Sequence, residues 1–323
     1  MGNLMKAPRA ALVGAGAIAP FHIDALRAVG FEIAHLAASP GSLRAQHLAK
    51  SHGISSVWDT AEELILGGDW DCLVLASSTE SLLELLLLAI QAGRPVLVEK
   101  PVTFRASDLT PLLKQDANIR VAYNRRFYAS TVAAKRFAQQ GICSLRLELP
   151  DSVGNTDDAL SGLRAVRENS VHGLDLLAYV VGRFEVEAVQ RIEADSRRSR
   201  HALVRSENGH LGVVMLNWNC PTNFSLVLDQ SPKRLELRPF ELATIYEGME
   251  VIEPTEETPV RRYVPKRIGE VSSFPKADGL KPGFLGQAQS LWHRVTRGSW
   301  DQATATLDDA RFALEVVDAL IES

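Results

Sequence analysis

The first 120 or so residues alternate short apolar runs with longer helical patterns, a rhythm that commits a chain to βαβ units and a parallel sheet. "RAALVGAG" reads as a first strand. "FHIDALRAVG" reads as a helix with Phe21, Ile23, Leu26 and Val29 at helical spacing and Gly30 as its C-terminal stop. "FEIAHLAAS" is a second strand, "SLRAQHLAKSHG" a second helix ending at Gly53, "AEELILGG" a short third helix and "DWDCLVLASS" another strand. "SLLELLLLAIQAG" and "PVLVEKP" add a helix and a strand, and "IRVAYNRRF" a last strand with its exit.

After about Arg126 the rhythm changes. One helix, "STVAAKRFAQQG", leads to strand-like runs "SLRLEL", "VEAVQRI", "RHALVRS", "HLGVVMLNW", "FSLVLD" and "KRLELRP", with hairpin turns at "ENGH" and "QSPK". This pattern predicts an antiparallel sheet, interrupted by a helix from roughly Ser170 to Val181. The closing "LDDARFALEVVDALIES" carries Leu307, Ala310, Leu314, Val317 and Leu320 on one face and is expected to pack on the body of the protein. Residues 253–279, rich in Pro, Glu and Ser, read as a long loop. The expected fold is α/β. A dinucleotide-binding Rossmann sheet occupies 1–122, and an α+β domain with an open, mainly antiparallel sheet occupies 123–323, its last helix packing back on the first domain.

The chain has 323 residues, enough for two cores, and 35 Lys plus Arg against 39 Asp plus Glu, a net charge of -4. That balance offers no electrostatic footprint for nucleic acid or an anionic membrane and points to small-molecule partners. Cys72, Cys143 and Cys220 are far apart and form no CxxC pair, so neither a zinc site, nor any other metal site, nor a disulfide framework is expected. The apolar run from Leu82 to Ile90 is too short to span a bilayer, and no secretory signal precedes the first strand, so a cytoplasmic protein is expected.

"VGAGAIA" follows the first strand and opens a helix, the context a dinucleotide fingerprint requires. Gly14 allows the tight turn, Gly16 lets backbone approach a pyrophosphate, Ala17 and Ile18 continue the turn, and Ala19 fills the third small position. An ordinary strand-to-helix turn is the plain alternative. The end of the second strand carries Ser39 where an acid would hold the ribose hydroxyls of NAD. With no carboxylate to repel a 2'-phosphate, Ser39, Ser42 and Arg44 favour NADP over NAD. Arg44 as a solvated helix residue is the rival view. Ser77, after "LVLA", is a further cofactor candidate.

Gly14, Gly16 and Ala19, then Glu99, Lys100 and Pro101, then "YNRRF" and "SVHGLDLLAYVVG" resemble the Gfo/Idh/MocA family of nicotinamide-dependent oxidoreductases over nearly the whole chain. The resemblance implies a nucleotide-binding domain followed by a domain whose open sheet often mediates dimers or tetramers. It implies that Lys100 lies near the nicotinamide and the substrate carbon, where a partly desolvated lysine suits proton transfer, with Glu99 holding the ammonium or shaping the turn. It assigns the catalytic histidine to His172, at the start of a helix, with Asp175 one turn on. Glu168 stands where many members have aspartate and is a catalytic or substrate carboxylate or a charge favouring the helix dipole. Ser170 replaces a common glycine, and Ser78 and Leu82 replace a usual Pro and His.

Asn124, Arg125 and Arg126 offer donors for substrate hydroxyls, a carboxylate or a phosphate. Adjacent arginines point apart in extended chain, so one of the two is expected to bind ligand and the other to pair structurally. The function implied is hydride transfer between NAD(P) and a carbinol or carbonyl carbon of a sugar-like or sugar-nucleotide-like substrate, by a homodimer or homotetramer. A glycosidase that uses NAD transiently and an inactive cofactor binder are the alternatives.

Overall fold

The computed structural model describes residues 6–151, 164–194, 197–275 and 279–322, which divide into two compact units. Residues up to 127 group with 275–315, and residues 128–274 group with those from 316 onward.

In the first unit, β1 (Arg9–Val13), β2 (Glu32–Ala37), β3 (Ser56–Trp58), β4 (Cys72–Leu75), β5 (Val96–Val98) and β6 (Ile119–Val121) form one parallel sheet in the order β3-β2-β1-β4-β5-β6. The helices α1 (Ala19–Ala28), α2 (Leu43–Ser51), α3 (Ala61–Gly67) and α4 (Thr79–Gln91) connect successive strands, and a short α5 (Ala106–Leu109) follows β5. All of β4 and β5 is buried, which is why these strands read as continuous apolar runs rather than alternations. The leucine run lies in α4, which buries Leu82, Leu85, Leu86 and Ala89, and among the described residues no helix is long and apolar enough to cross a membrane.

The chain order reverses between β1 and β4, since β2 lies on one side of β1 and β4 on the other. Open α/β sheets bind ligands at such a switch point, beyond the carboxyl ends of the strands.

The second unit has α6 (Ala129–Ala138) and an eight-stranded sheet of β7 (Ser144–Leu149), β8 (Phe184–Ala194), β9 (Arg197–Ser206), β10 (Leu211–Asn217), β11 (Ser225–Gln230), β12 (Lys233–Leu237), β13 (Leu242–Ile252) and β14 (Arg262–Ser272). Their order is β14-β13-β12-β11-β7-β10-β9-β8. Among the described residues only the β7–β10 pair is parallel, so the sheet is mixed and, as expected, mainly antiparallel. Leu145, Leu147 and Leu149 alternate toward the helical side, where α7 (Val171–Val181) packs. Gly173 makes that packing close, because a Cβ there would stand 2.3 Å from Leu149 Cδ2.

Two expectations change. Residues 253–279 are not one loop, since 262–272 form β14, paired antiparallel with β13. Most of β14 is exposed, so no burial alternation marks it in sequence. Second, α8 (Phe284–Arg297) was not foreseen, yet it buries Phe284, Ala288 and Leu291 against the core that contains Ile23 and Leu26 of α1. Trp292 meets Phe31 edge-on with ring centroids 5.1 Å apart. The last helix, α9 (Leu307–Glu322), follows the Thr306 capping turn, and its residues to Glu315 group with the first unit.

Gly283 caps α8 at φ +81°, and a Cβ there would lie 2.1 Å from the Asn124 carbonyl oxygen. Gly283→Ala is therefore expected to cost on the order of 1–3 kcal/mol, the scale of local backbone strain. A thermal melt with an unchanged midpoint would contradict that close approach.

Candidate active site

The carboxyl end of β1 runs into Gly14 at φ +114°, whose N–H donates to Ala37 O at 2.8 Å. A Cβ on Gly14 would lie 2.1 Å from Ala76 O, so the turn brings β1, β2 and β4 together in a way only glycine permits. Around the Cβ direction of Gly16 nothing stands within 4 Å. The first turn of α1 has no side-chain cap and no acidic residue, and Ala19 is fully buried beneath it. Its amides and the positive end of the helix dipole suit an anion. These residues fit a dinucleotide pyrophosphate.

Ser39 and Arg44 are both exposed beyond β2. The Ser42 hydroxyl accepts the Ala45 N–H at 3.2 Å and caps α2. Ser77 Oγ lies 2.8 Å from Ser81 Oγ at the start of α4.

Beyond β5, the Glu99 N–H donates to Leu75 O at 2.8 Å. The Glu99 carboxylate, 2.8 Å from His22 Nε2, accepts that ring N–H and the Lys100 backbone N–H at 3.1 Å. His22 is 3% exposed, and the edge of its ring meets Phe284 at 4.9 Å between centroids. Glu99 therefore ties the lysine turn to α1. Lys100 itself is half-buried, and the Lys100–Pro101 peptide is cis.

In the turn 124–127, Asn124 Nδ2 donates to Pro282 O at 3.0 Å. Arg126 is 4% exposed and pairs with Asp309 at 3.2 Å, while Arg125 is half-buried. Burial by itself pushes the Asp309 carboxyl up. The Arg126 guanidinium and the N–H and hydroxyl of Thr306, at 2.8 and 2.9 Å, outweigh it and hold the group below its ordinary value.

In the second unit, residues 166–170 form a π-helical turn continuous with α7. His172 thus stands beyond a turn of helix rather than at the helix start, because the chain is already helical at Arg164. Glu168 accepts from Arg164 Nε at 2.7 Å, an i,i+4 pair on the partly exposed side. Ser170 is fully buried and donates to Asp151, itself 2% exposed, and the Asp151 carbonyl accepts the Asn219 N–H at 2.9 Å. His172 is half-buried and Asp175 is 1% exposed. π-turns inside helices recur at functional sites.

Sequence reasoning missed His22, Asp309 and Asp151. His22 and Asp151 meet their partners across 77 and 19 residues of chain, which no local pattern marks, whereas Asp309 also closes a Thr306-x-x-Asp309 capping turn that the sequence carries.

The strand order and the glycine turn define a dinucleotide-binding α/β domain. Residues 8–122 match the family model for the oxidoreductase family with NAD-binding Rossmann fold, GFO_IDH_MocA. The chain is 24% identical over 217 residues to myo-inositol 2-dehydrogenase of Thermotoga maritima, covering 64% of this chain and 62% of that protein. It is 29% identical over 140 residues to 1,5-anhydro-D-fructose reductase of Ensifer adhaerens, covering 43% of this chain and 42% of that one. The matches span less than two thirds of either relative. An oxidoreductase structure from Thermotoga maritima shares the fold with a TM-score of 0.77 at 17% identity, covering 98% of this chain and 97% of that one. Levoglucosan dehydrogenase in complex with NADH does so with a TM-score of 0.77 at 14% identity, covering 98% and 97%.

The lowered Asp309 value fixes the sign of an acid effect. A depressed carboxyl stabilises above its unfolded value, and that contribution is lost as pH falls through the folded value. Asp309→Asn is expected to cost roughly 1–3 kcal/mol at neutral pH, the scale of hydrogen bonds to charged groups, and to flatten the acid-side loss of stability. Parallel stability curves for wild type and variant between pH 7 and pH 3 would contradict the assignment.

Proposed function

We propose that the chain is an NAD(P)-dependent oxidoreductase acting on a carbinol or carbonyl carbon of a polyol or sugar-like substrate. The observation that carries this is the Gly14–Gly16 turn opening an uncapped α1 at the switch point of the sheet. The activities named for the matched relatives, a myo-inositol dehydrogenase and an anhydrofructose reductase, support the substrate class.

When bound, the dinucleotide supplies a hydride acceptor or donor at its nicotinamide ring. The amides of residues 14–18 hold the pyrophosphate, with Ser77 close to the same turn. Ser39 and Arg44 receive the adenosine ribose, and the missing carboxylate favours a 2'-phosphate. Lys100 donates to the substrate oxygen, held by a turn that Glu99 and His22 fix. His172 takes the hydroxyl proton during oxidation and returns it during reduction, as an imidazole near neutral pH does. Arg125 and Glu168 serve the polar groups of the substrate, Asn124 shapes the neighbouring turn, and Asp175 anchors the histidine helix. The protein works in the cytoplasm as a dimer or tetramer through the open face of its second sheet.

Lys100→Ala and His172→Asn test these roles. Each is expected to lower turnover by about 10²- to 10⁴-fold, the range for loss of a positioned proton-transfer group, while cofactor affinity by calorimetry stays within several-fold. Wild-type turnover in His172→Asn would remove the histidine from the mechanism. Wholesale loss of cofactor binding in Lys100→Ala would make the lysine structural.

A further inference from the structure

Between the last turn of α6, the end of α7 and the β9–β10 hairpin, the second unit holds a cavity of about 340 Å³, within the size range of small-molecule sites. Ala138, Ile142 and Val180 form its apolar wall, and Gln139, Asn208 and His210 supply its polar groups. Among the described residues no charged side chain and no member of the candidate active site lines it. The carbonyl ends of α6 and α7 border it, which disfavours an anion.

The polar groups are set by the fold. Ser206 N–H donates to His210 O at 2.8 Å and His210 N–H to Ser206 Oγ at 3.0 Å, closing the hairpin turn. His210 is 4% exposed, and its Nδ1 accepts the Cys143 N–H at 3.0 Å. Burial holds the imidazole below its ordinary pKa, so at neutral pH the ring is uncharged and its one hydrogen sits on Nε2. Among the described residues that N–H meets no acceptor, yet it is not sealed off, so it opens on the cavity. Asn208 Nδ2 donates to Val181 O at 3.1 Å, which fixes the amide and leaves Oδ1 as an acceptor. A donor and an acceptor, each anchored at its other end, therefore stand ready on one turn. Donors as buried as this one are normally satisfied.

We propose that this cavity is a second ligand site and takes an uncharged single-ring polyol or sugar. Hydroxyl groups both donate and accept, as the His210 N–H, Asn208 Oδ1 and the Gln139 amide together require, and the C–H face of a ring suits the aliphatic wall. A carboxylate or phosphate would meet helix carbonyls in place of a cation. The inference stands on the second unit alone and is independent of the catalytic reading.

Heteronuclear NMR of the His210 ring and the Gly209 amide in the full chain tests it, with myo-inositol and D-glucose as probes and D-gluconate as the charged comparison. An uncharged probe is expected to move both signals saturably by roughly 10 mM, a concentration that loads any site of millimolar affinity. D-Gluconate is expected to bind at least about ten-fold more weakly. His210→Asn keeps an acceptor for the Cys143 N–H and removes the Nε2 donor. Followed at the Gly209 amide, it is expected to weaken probe binding about ten-fold, the scale of one lost hydrogen bond. Ile142→Trp fills the mouth from an exposed position and carries the same expectation should His210→Asn fold poorly. Signals that stay still with both uncharged probes would mean that only water fills the cavity and would overturn the proposal. D-Gluconate binding as tightly as the uncharged probes, or variants that bind like wild type, would overturn it too.

Discussion

Between the ends of β1 and β4 the backbone runs so close that no side chain fits at Gly14, where a Cβ would sit 2.1 Å from Ala76 O. That approach fixes the turn, and the turn fixes where α1 begins. With no side chain capping the helix and no acid in its first turn, its amides face a position that suits an anion. The buried runs of β1, β4 and β5 hold the frame, so the constraint is covalent and steric before it is electrostatic.

Around this frame, charged and polar groups are committed in pairs. Glu99 takes His22 and the lysine turn, Arg126 takes Asp309, and Ser170 takes Asp151. Each pair joins a motif that the sequence shows to a residue that it hides. Removing one partner of such a pair is costly, because it leaves the other buried and unsatisfied. The Glu99 contacts hold the turn that carries Lys100, and the Ser170–Asp151 bond holds the helix two residues before His172.

Much of the first sheet was legible because its strands are short, apolar and separated by amphipathic helices. The three residues of β3 were too few to show a pattern, and α8 was missed although Phe284, Ala288 and Leu291 recur at helical spacing behind the Pro282–Gly283 turn. The outer part of β13 and β14 escaped because it is exposed on both sides, so pairing rather than burial maintains it. The glycine turn, the Glu99–Lys100 turn and the histidine helix were all visible as motifs. Their partners were not, since His22 lies 77 residues from Glu99 and Asp309 lies 183 from Arg126. A pair formed only in three dimensions leaves no spacing to read.

Net hydride transfer with a cofactor held at the β1–α1 turn is the activity proposed for this chain. Its most direct measurement follows absorbance at 340 nm as purified chain is mixed with NAD⁺ or NADP⁺ and cyclic polyols, myo-inositol first, with the carbonyl product assayed in parallel. Reduced cofactor is expected to accumulate one for one with product. Product released without any net change in absorbance would contradict it and mean transient rather than net oxidation.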